Sequence, residues 1–499
     1  MVDKPIVNFV QDRFWDSPLN SQKIPNGLHT STLEAMEYLI SKEIPTHVPT
    51  GFKGSGLQTI DLWKVFDLDK DKTQIIYPNV WNSSFFNQDK LINETFDFKF
   101  HLIDDITDEQ DLFYVVEILG GFSNAFSSHL GIYKDKNTKE VSQTLRDVYD
   151  MGNLFTNIFS KSLELIRNGR MKLVMSYMHE GTVETLDFKK LHDALDTNKI
   201  SPNSVIVITG SANFISRYDI WCDENSIKEK FKTLESIHYV EDTARVWDKK
   251  GIKYKEALKR ESIFRKNYFL SYNGLVDNHK VHRALLLASF VHNDLLDKGL
   301  LSCLTKTFDY SDIIQKMNER YKNDDSDLVE RFKTSFVKLE NKIPIYLDFE
   351  YDYTDANDDR KNSSLLGNNN FRDSYFSIVT ESIAWGDSIF ISEKLLKPVS
   401  NLHPFIVMAP QHYLKHLHKL GFKTFHPFID ESYDDIEDPI KRYVQIGEEV
   451  KRLCSLPIEE IHDWYYSILK PTLVHNKELH ISYGLKSERV DFINFLLEN

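Results

Sequence analysis

The sequence predicts an α/β protein: two parallel-sheet domains in series, with an N-terminal extension. Three observations lead to this. From about residue 140 onward, apolar runs of strand length alternate with amphipathic runs of helix length. The alternation breaks at a charged stretch around 241–265 (RVWDKKGIKYKEALKRES) and then starts again. Finally, 499 residues are too many for one core, while an apolar content of 41% is enough for two.

The elements follow in order. Residues 1–130 form an accessory region, 131–262 a first Rossmann-like domain and 263–499 a second. FYVVEILGG at 113–121 reads as a buried strand ending in a glycine turn. Leu145, Val148, Met151, Leu154, Ile158, Leu163 and Ile166 have helical spacing over 141–168. The strand RMKLVMSYM follows and ends at His179-Glu180-Gly181; a helix spans 186–197, a strand lies within 201–214, and a helix covers 226–237. After the charged stretch come the strand 267–273 and a strongly apolar helix from Val281, closed by Lys298-Gly299. Strands are expected at 343–350, 374–380 and 403–410, with helices at 392–401 and 411–421 and a helical tail from 455. In open parallel sheets, ligands bind beyond the C-terminal strand ends. Two such sheets facing a cleft suit a transfer between two substrates.

Composition narrows the function classes. A net charge of −14 repels polyanions, so nucleic acid is a disfavoured partner. Cys222, Cys303 and Cys454 are odd in number and far apart, which argues against a disulfide framework or a zinc knuckle and for buried thiols in a reducing compartment. No run of about 18 uncharged apolar residues exists to span a membrane, and the opening MVDKPIVNFVQDRFWD lacks the apolar core of a signal peptide. A cytoplasmic setting is expected, the host cytoplasm if the chain is viral.

The richest segment is SYFSIVTESIAWGDSIFISEKLLKPVSNLHPFIVMAP at 374–410. Glu381 follows a strand, where a carboxylate can accept both hydroxyls of a ribose. Glu393-Lys394 opens a helix, where unpaired N–H groups and the helix dipole favour an anion such as a diphosphate. The plainer alternative makes Glu393 a first-turn carboxylate behind an N-cap Ser392, with Lys394 solvated. Acidic runs such as Asp67, Asp69 and Asp71 read as solvated loop charge, and His412 and His416 as surface histidines without a third metal ligand.

Val379-Thr380-Glu381-Ser382, Ile391-Ser392-Glu393-Lys394-Leu395 and His403-Pro404-Phe405-Ile406-Val407 together resemble the donor-binding block of the α-1,3-fucosyltransferases and related two-domain glycosyltransferases. GFKTFHPFIDESYDD at 421–435 is similar to a glycosyltransferase-like group common in viruses and uncultured microbes. Tyr268 to Gly274, followed by His279-Lys280-Val281-His282-Arg283, resembles the first strand–turn–helix of the donor domain. The resemblance covers roughly 265–445. It departs at Leu402, where the family usually has a glycine, a change expected to alter how closely a ligand approaches that turn.

The resemblance implies a GT-B-like fold and a sugar transfer from a nucleotide-diphospho-sugar to a hydroxyl acceptor, a glycan or glycoconjugate. It implies inversion, and no metal or other cofactor. It carries Arg283 to the donor phosphates, where a guanidinium can grip bidentately. Asn273, Glu381, Glu393 and Lys394 join it in the expected donor site. The base is expected from the first domain: Glu180, with His179 as the alternative. Two rival readings stay open: a phage-type transferase acting on DNA bases, and a non-catalytic glycosyltransferase-like binding protein.

Overall fold

The computed structural model describes residues 4–11, 97–102, 106, 112–117, 155, 158, 160–177, 185–237, 240, 243–244, 263–274, 276, 280–305, 310–321, 326–347, 369–485 and 488–499. The chain forms two compact units, Met1–Ser236 with Ser487–Asn499, and Ile237–Lys486.

The first unit is built on a six-stranded sheet. Its strands are β1 (Ile6–Gln11), β2 (Asp97–Leu102), β3 (Leu112–Glu117), β4 (Met171–Tyr177), β5 (Val205–Thr209) and β6 (Lys232–Glu235), in the order β2-β1-β3-β4-β5-β6. Every pairing is parallel. β5 reads VIVIT and is buried throughout, the pattern of a parallel strand covered on both faces. Helices α1 (Ser160–Arg167), α2 (Thr185–Thr197) and α3 (Phe214–Glu224) belong to this unit. Phe188, Leu191 and Leu195 of α2 and Phe214, Tyr218 and Trp221 of α3 share one core with Leu173 and Met175 of β4 and Val205 and Val207 of β5.

Two expectations are corrected here. The boundary at 130 falls inside one sheet, since Leu112 to Glu117 of β3 pair in register with Met171 to Ser176 of β4. A strand such as β4 left without that partner would expose a row of unpaired backbone groups. Within the expected helix at 226–237, Lys232–Glu235 is instead β6, paired with Ile206 to Thr209. Pairing with a formed sheet outweighs the modest helical preference of KTLE.

The second unit holds a four-stranded parallel sheet: β7 (Asn267–Asn273), β8 (Gly299–Cys303), β9 (Ser374–Thr380) and β10 (Phe405–Met408), in the order β10-β9-β7-β8. Its helices include α4 (Val281–His292), α5 (Tyr310–Tyr321), α6 (Ser326–Glu340), α7 (Glu393–Ser400), α8 (Tyr413–Lys419), α9 (Pro439–Ser455) and α10 (Lys470–Leu485). α4 stops at His292, short of the expected stop at Gly299, which instead opens β8. A Cβ on Gly299 would lie 2.5 Å from the Phe269 ring, so this glycine serves a close strand–strand approach. The expected strand at 343–350 reduces to one antiparallel bridge, Ile345 to Cys303, among its described residues.

Strand order decides where this unit can hold a ligand. From β7 the chain moves to one side, to β8; β9 then lies on the other side of β7, and β10 beyond it. The direction of winding reverses between β7 and β9, and in open α/β sheets ligands bind beyond the C-terminal strand ends at such a reversal.

The opposite edge is locked by buried polar groups. His403, fully buried just before β10, donates from Nε2 to the Ser374 carbonyl at 2.6 Å and accepts at Nδ1 from Ser377 Oγ at 2.7 Å. Leu402 has φ +56 and a buried side chain. The left-handed conformation explains why a glycine suits this position. The turn lies at the start of β10, away from the C-terminal strand ends, so Leu402 does not bear on ligand approach there.

Candidate functional site at the switch point

Side chains join the C-terminal ends of β7 and β9. Asn273 ends β7 and Thr380 ends β9, and Thr380 Oγ1 donates to Asn273 Oδ1 at 3.1 Å. The Asn273 amide donates in turn to Ser271 Oγ at 3.0 Å, and its backbone N–H to Ser302 Oγ of β8 at 3.2 Å. Asn273 is 0% exposed. Its expected place against a donor is therefore corrected: it clasps three strands.

Glu381 is corrected in the same way. It is 0% exposed, and its carboxylate accepts from four donors. These are Tyr413 Oη at 2.6 Å, Ser392 N at 3.2 Å, Ser382 N at 3.3 Å, and Ser392 Oγ. No room is left for ribose hydroxyls. Burial pushes its carboxyl pKa up, against the pull of Lys394, Ser392 and Tyr413. Its backbone carbonyl accepts from His282 Nε2 at 2.9 Å, which ties the start of α4 to the end of β9.

Two helices begin beside these residues. Ser392 is the N-cap of α7 and accepts from Lys394 N at 3.2 Å. The plainer reading of Ser392 as an N-cap is correct. It leaves the Lys394 ammonium facing Ser382 Oγ at 2.9 Å and Glu393 Oε1 at 3.0 Å, with the lysine side chain 29% exposed and that of Glu393 15%. Burial works against the Glu393 charge, but Lys394 and Lys397 outweigh it and hold the carboxyl below its usual range. Lys397, three residues on, has its pKa lowered by burial.

Lys280 occupies the N-cap position of α4, and its Nζ donates to the Ser382 carbonyl at 2.9 Å. Arg283 lies in the first turn of the same helix and is 8% exposed. Sequence reasoning overlooked Lys280 and Ser382. Both stand inside the motifs that were singled out, but nothing in their spacing shows that one meets the other.

Three cationic side chains, Lys280, Arg283 and Lys394, therefore stand at the beginnings of two helices. That is the wrong end for stability, because the positive end of the helix dipole repels them. Like charges gathered near one residue also repel one another. Glu393 offsets one of them. Local rules broken in this way mark functional sites, and a bound anion would relieve the repulsion.

Glu180 and His179 both lie outside the described residues. Among the described residues, no group of three or more His, Cys, Asp or Glu is placed to hold a metal ion, and no helix is long and apolar enough to cross a membrane.

No family model matches the chain, and no curated protein matches it by sequence. Solved structures do. The N-terminal domain of the Candida albicans trehalose-6-phosphate phosphatase is 10% identical, with 100% of this chain and 97% of that one covered and a TM-score of 0.41. The α,α-trehalose 6-phosphate synthase of Burkholderia multivorans is 11% identical, with 99% and 96% covered and a TM-score of 0.40. The E. coli trehalose-6-phosphate structure bound with UDP-2-fluoro glucose is 10% identical, with 98% of each chain covered and a TM-score of 0.38. At these identities and scores the likeness carries nothing about chemistry.

Proposed function

We propose that the protein is a glycosyltransferase whose second unit binds the diphosphate of a nucleotide sugar at the β7/β9 switch point. One observation carries the reading: Lys280 and Lys394, from the starts of two helices, both reach Ser382 at 2.9 Å. A diphosphate bears the charge that such a pair needs. It would meet Lys280 and Lys394, with Arg283 behind them and the α4 N-terminus adding its dipole. Glu393, whose side chain is 15% exposed, is the carboxylate proposed for a ribose.

The proposed reaction is inverting and uses no metal or other cofactor. A base takes the proton of an acceptor hydroxyl, the oxygen attacks the anomeric carbon, and the bond to the diphosphate breaks. The lysines hold the charge that develops on the leaving group. Glu180 is the proposed base and His179 the alternative. The acceptor is proposed to be a glycan or glycoconjugate in the cytoplasm. The fucosyltransferase-like blocks support this reading as a resemblance.

The test is a thermal-shift screen of nucleoside diphosphates and nucleotide sugars. A ligand at a hundred times its dissociation constant adds roughly 2.7 kcal/mol of stability. A rise with one base, lost in Lys280→Ala and Lys394→Ala, supports the site, and release of that nucleoside diphosphate in the presence of sugar acceptors supports the transfer. Binding without turnover under any acceptor would make this a binding protein. No rise with any nucleotide would remove the donor site altogether.

A further inference from the structure

Glu381 sits under the two lysines and touches neither through its hydrogen bonds. Its carboxylate accepts from the backbone N–H of Ser382, the residue on which both lysines meet, and from both the N–H and the hydroxyl of Ser392, the cap of the helix that carries Lys394. It thereby fastens the two ends of the loop 382–391. All four groups around it are donors, so only the ionised form satisfies them together. Tyr413, the first residue of α8, contributes one of the four from the far side of the sheet connection after β10. Because the Ser392 proton is committed to Glu381, its lone pairs are left for Lys394 N at 3.2 Å and Lys394 Nζ at 3.5 Å.

We infer that Glu381 is a positioning residue for diphosphate binding, acting through Ser382 and Ser392 to set Lys394 against Lys280. This rests on the phosphate-site reading above. In a Glu381→Gln protein one carboxylate oxygen becomes an NH2 group. That group cannot accept, so either the Ser382 N–H and Ser392 hydroxyl pair or the Tyr413 hydroxyl and Ser392 N–H pair loses its acceptor. The cap of α7 then shifts, and Lys394 loses its aim.

The experiment is a calorimetric titration of the full chain with UDP, GDP, ADP and inorganic pyrophosphate, and with the matching nucleosides. The proteins are wild type, Glu381→Gln, Tyr413→Phe, Lys394→Ala and the double variant Glu381→Gln/Lys394→Ala. Glu381→Gln is expected to weaken the preferred nucleoside diphosphate and pyrophosphate about tenfold and to leave the nucleoside within about twofold. Tyr413→Phe, which removes one donor of four, is expected to lose about threefold in the same pattern, and it stands in if the glutamine variant fails to fold. The double variant should bind no more weakly than Lys394→Ala, since coupled residues do not add. Equal losses for nucleoside and diphosphate, or full additivity in the double variant, would reduce Glu381 to a structural role. Loss in Lys394→Ala with none in Glu381→Gln overturns this inference and leaves the phosphate site standing. Failure of the wild type to bind any of the probes overturns both.

Discussion

Lys280 and Lys394 place their ammonium groups on the same residue, one 2.9 Å from the carbonyl of Ser382 and the other 2.9 Å from its hydroxyl. They begin different helices, and Glu393 is the carboxylate paired with Lys394 at 3.0 Å. An arrangement that costs stability in the free protein is the kind that an anion repays.

Removing either lysine should therefore separate binding from stability. Lys280→Ala and Lys394→Ala are each expected to weaken nucleoside diphosphate binding by about 1.5–3 kcal/mol, the worth of a charge-assisted hydrogen bond. Urea unfolding of the free proteins should stay within about 0.5 kcal/mol of wild type, as lost hydrogen bonds and relieved repulsion offset each other. A large stability loss with unchanged binding would mean that the lysines serve the fold.

The proposed base has its own test. Glu180→Gln is expected to lower turnover by roughly 10² to 10⁴-fold while nucleoside diphosphate affinity stays at the wild-type value. If turnover is unchanged and His179→Ala abolishes it, the base is His179.

Acid should loosen the second unit. Burial holds His403 neutral, with its pKa pushed down to about 3, and His480 behaves likewise, with Lys477 adding to the effect of burial. An unfolded histidine titrates near 6.5, so between about 3 and 6.5 the unfolded chain binds protons that the folded chain does not. The stability is full above that window and is lost as pH falls through it. From pH 7 to 5 each of the two should remove about 2 kcal/mol. Urea midpoints at both pH values, compared between wild type and His403→Gln, check this: the drop should be about 2 kcal/mol smaller in the variant.

Leu402→Gly sets two effects against each other. Relief of the left-handed backbone at φ +56 is worth about 1–2 kcal/mol, and loss of a fully buried leucine costs about 2–5. The variant is expected to be less stable by about 2 kcal/mol. A more stable glycine variant would show that backbone strain outweighs burial at this turn.

Much of the second unit was legible in the chain. Strands such as SYFSIVT and FIVM are buried along their whole length, and runs of that kind have few other uses. Ser392 before Glu393 announced a helix start, and the cap is there. The same reading placed Glu381 and Asn273 on a ligand because a polar residue at a strand end is a common contact. It had no means of seeing that Tyr413 and Ser392 would claim one, and Ser271 and Thr380 the other.

Local periodicity and capping were written into the sequence, since they depend on neighbours a few residues apart. They established two parallel α/β units and the segment around 374–410 as the place to look. Tertiary structure alone decided that winding reverses between β7 and β9, that β3 continues the sheet of β4, and that Lys280 comes to Ser382 across the switch point. Those are relations between residues far apart in the chain, and their free energy exists only once strands have paired and two helix starts have been brought to one edge.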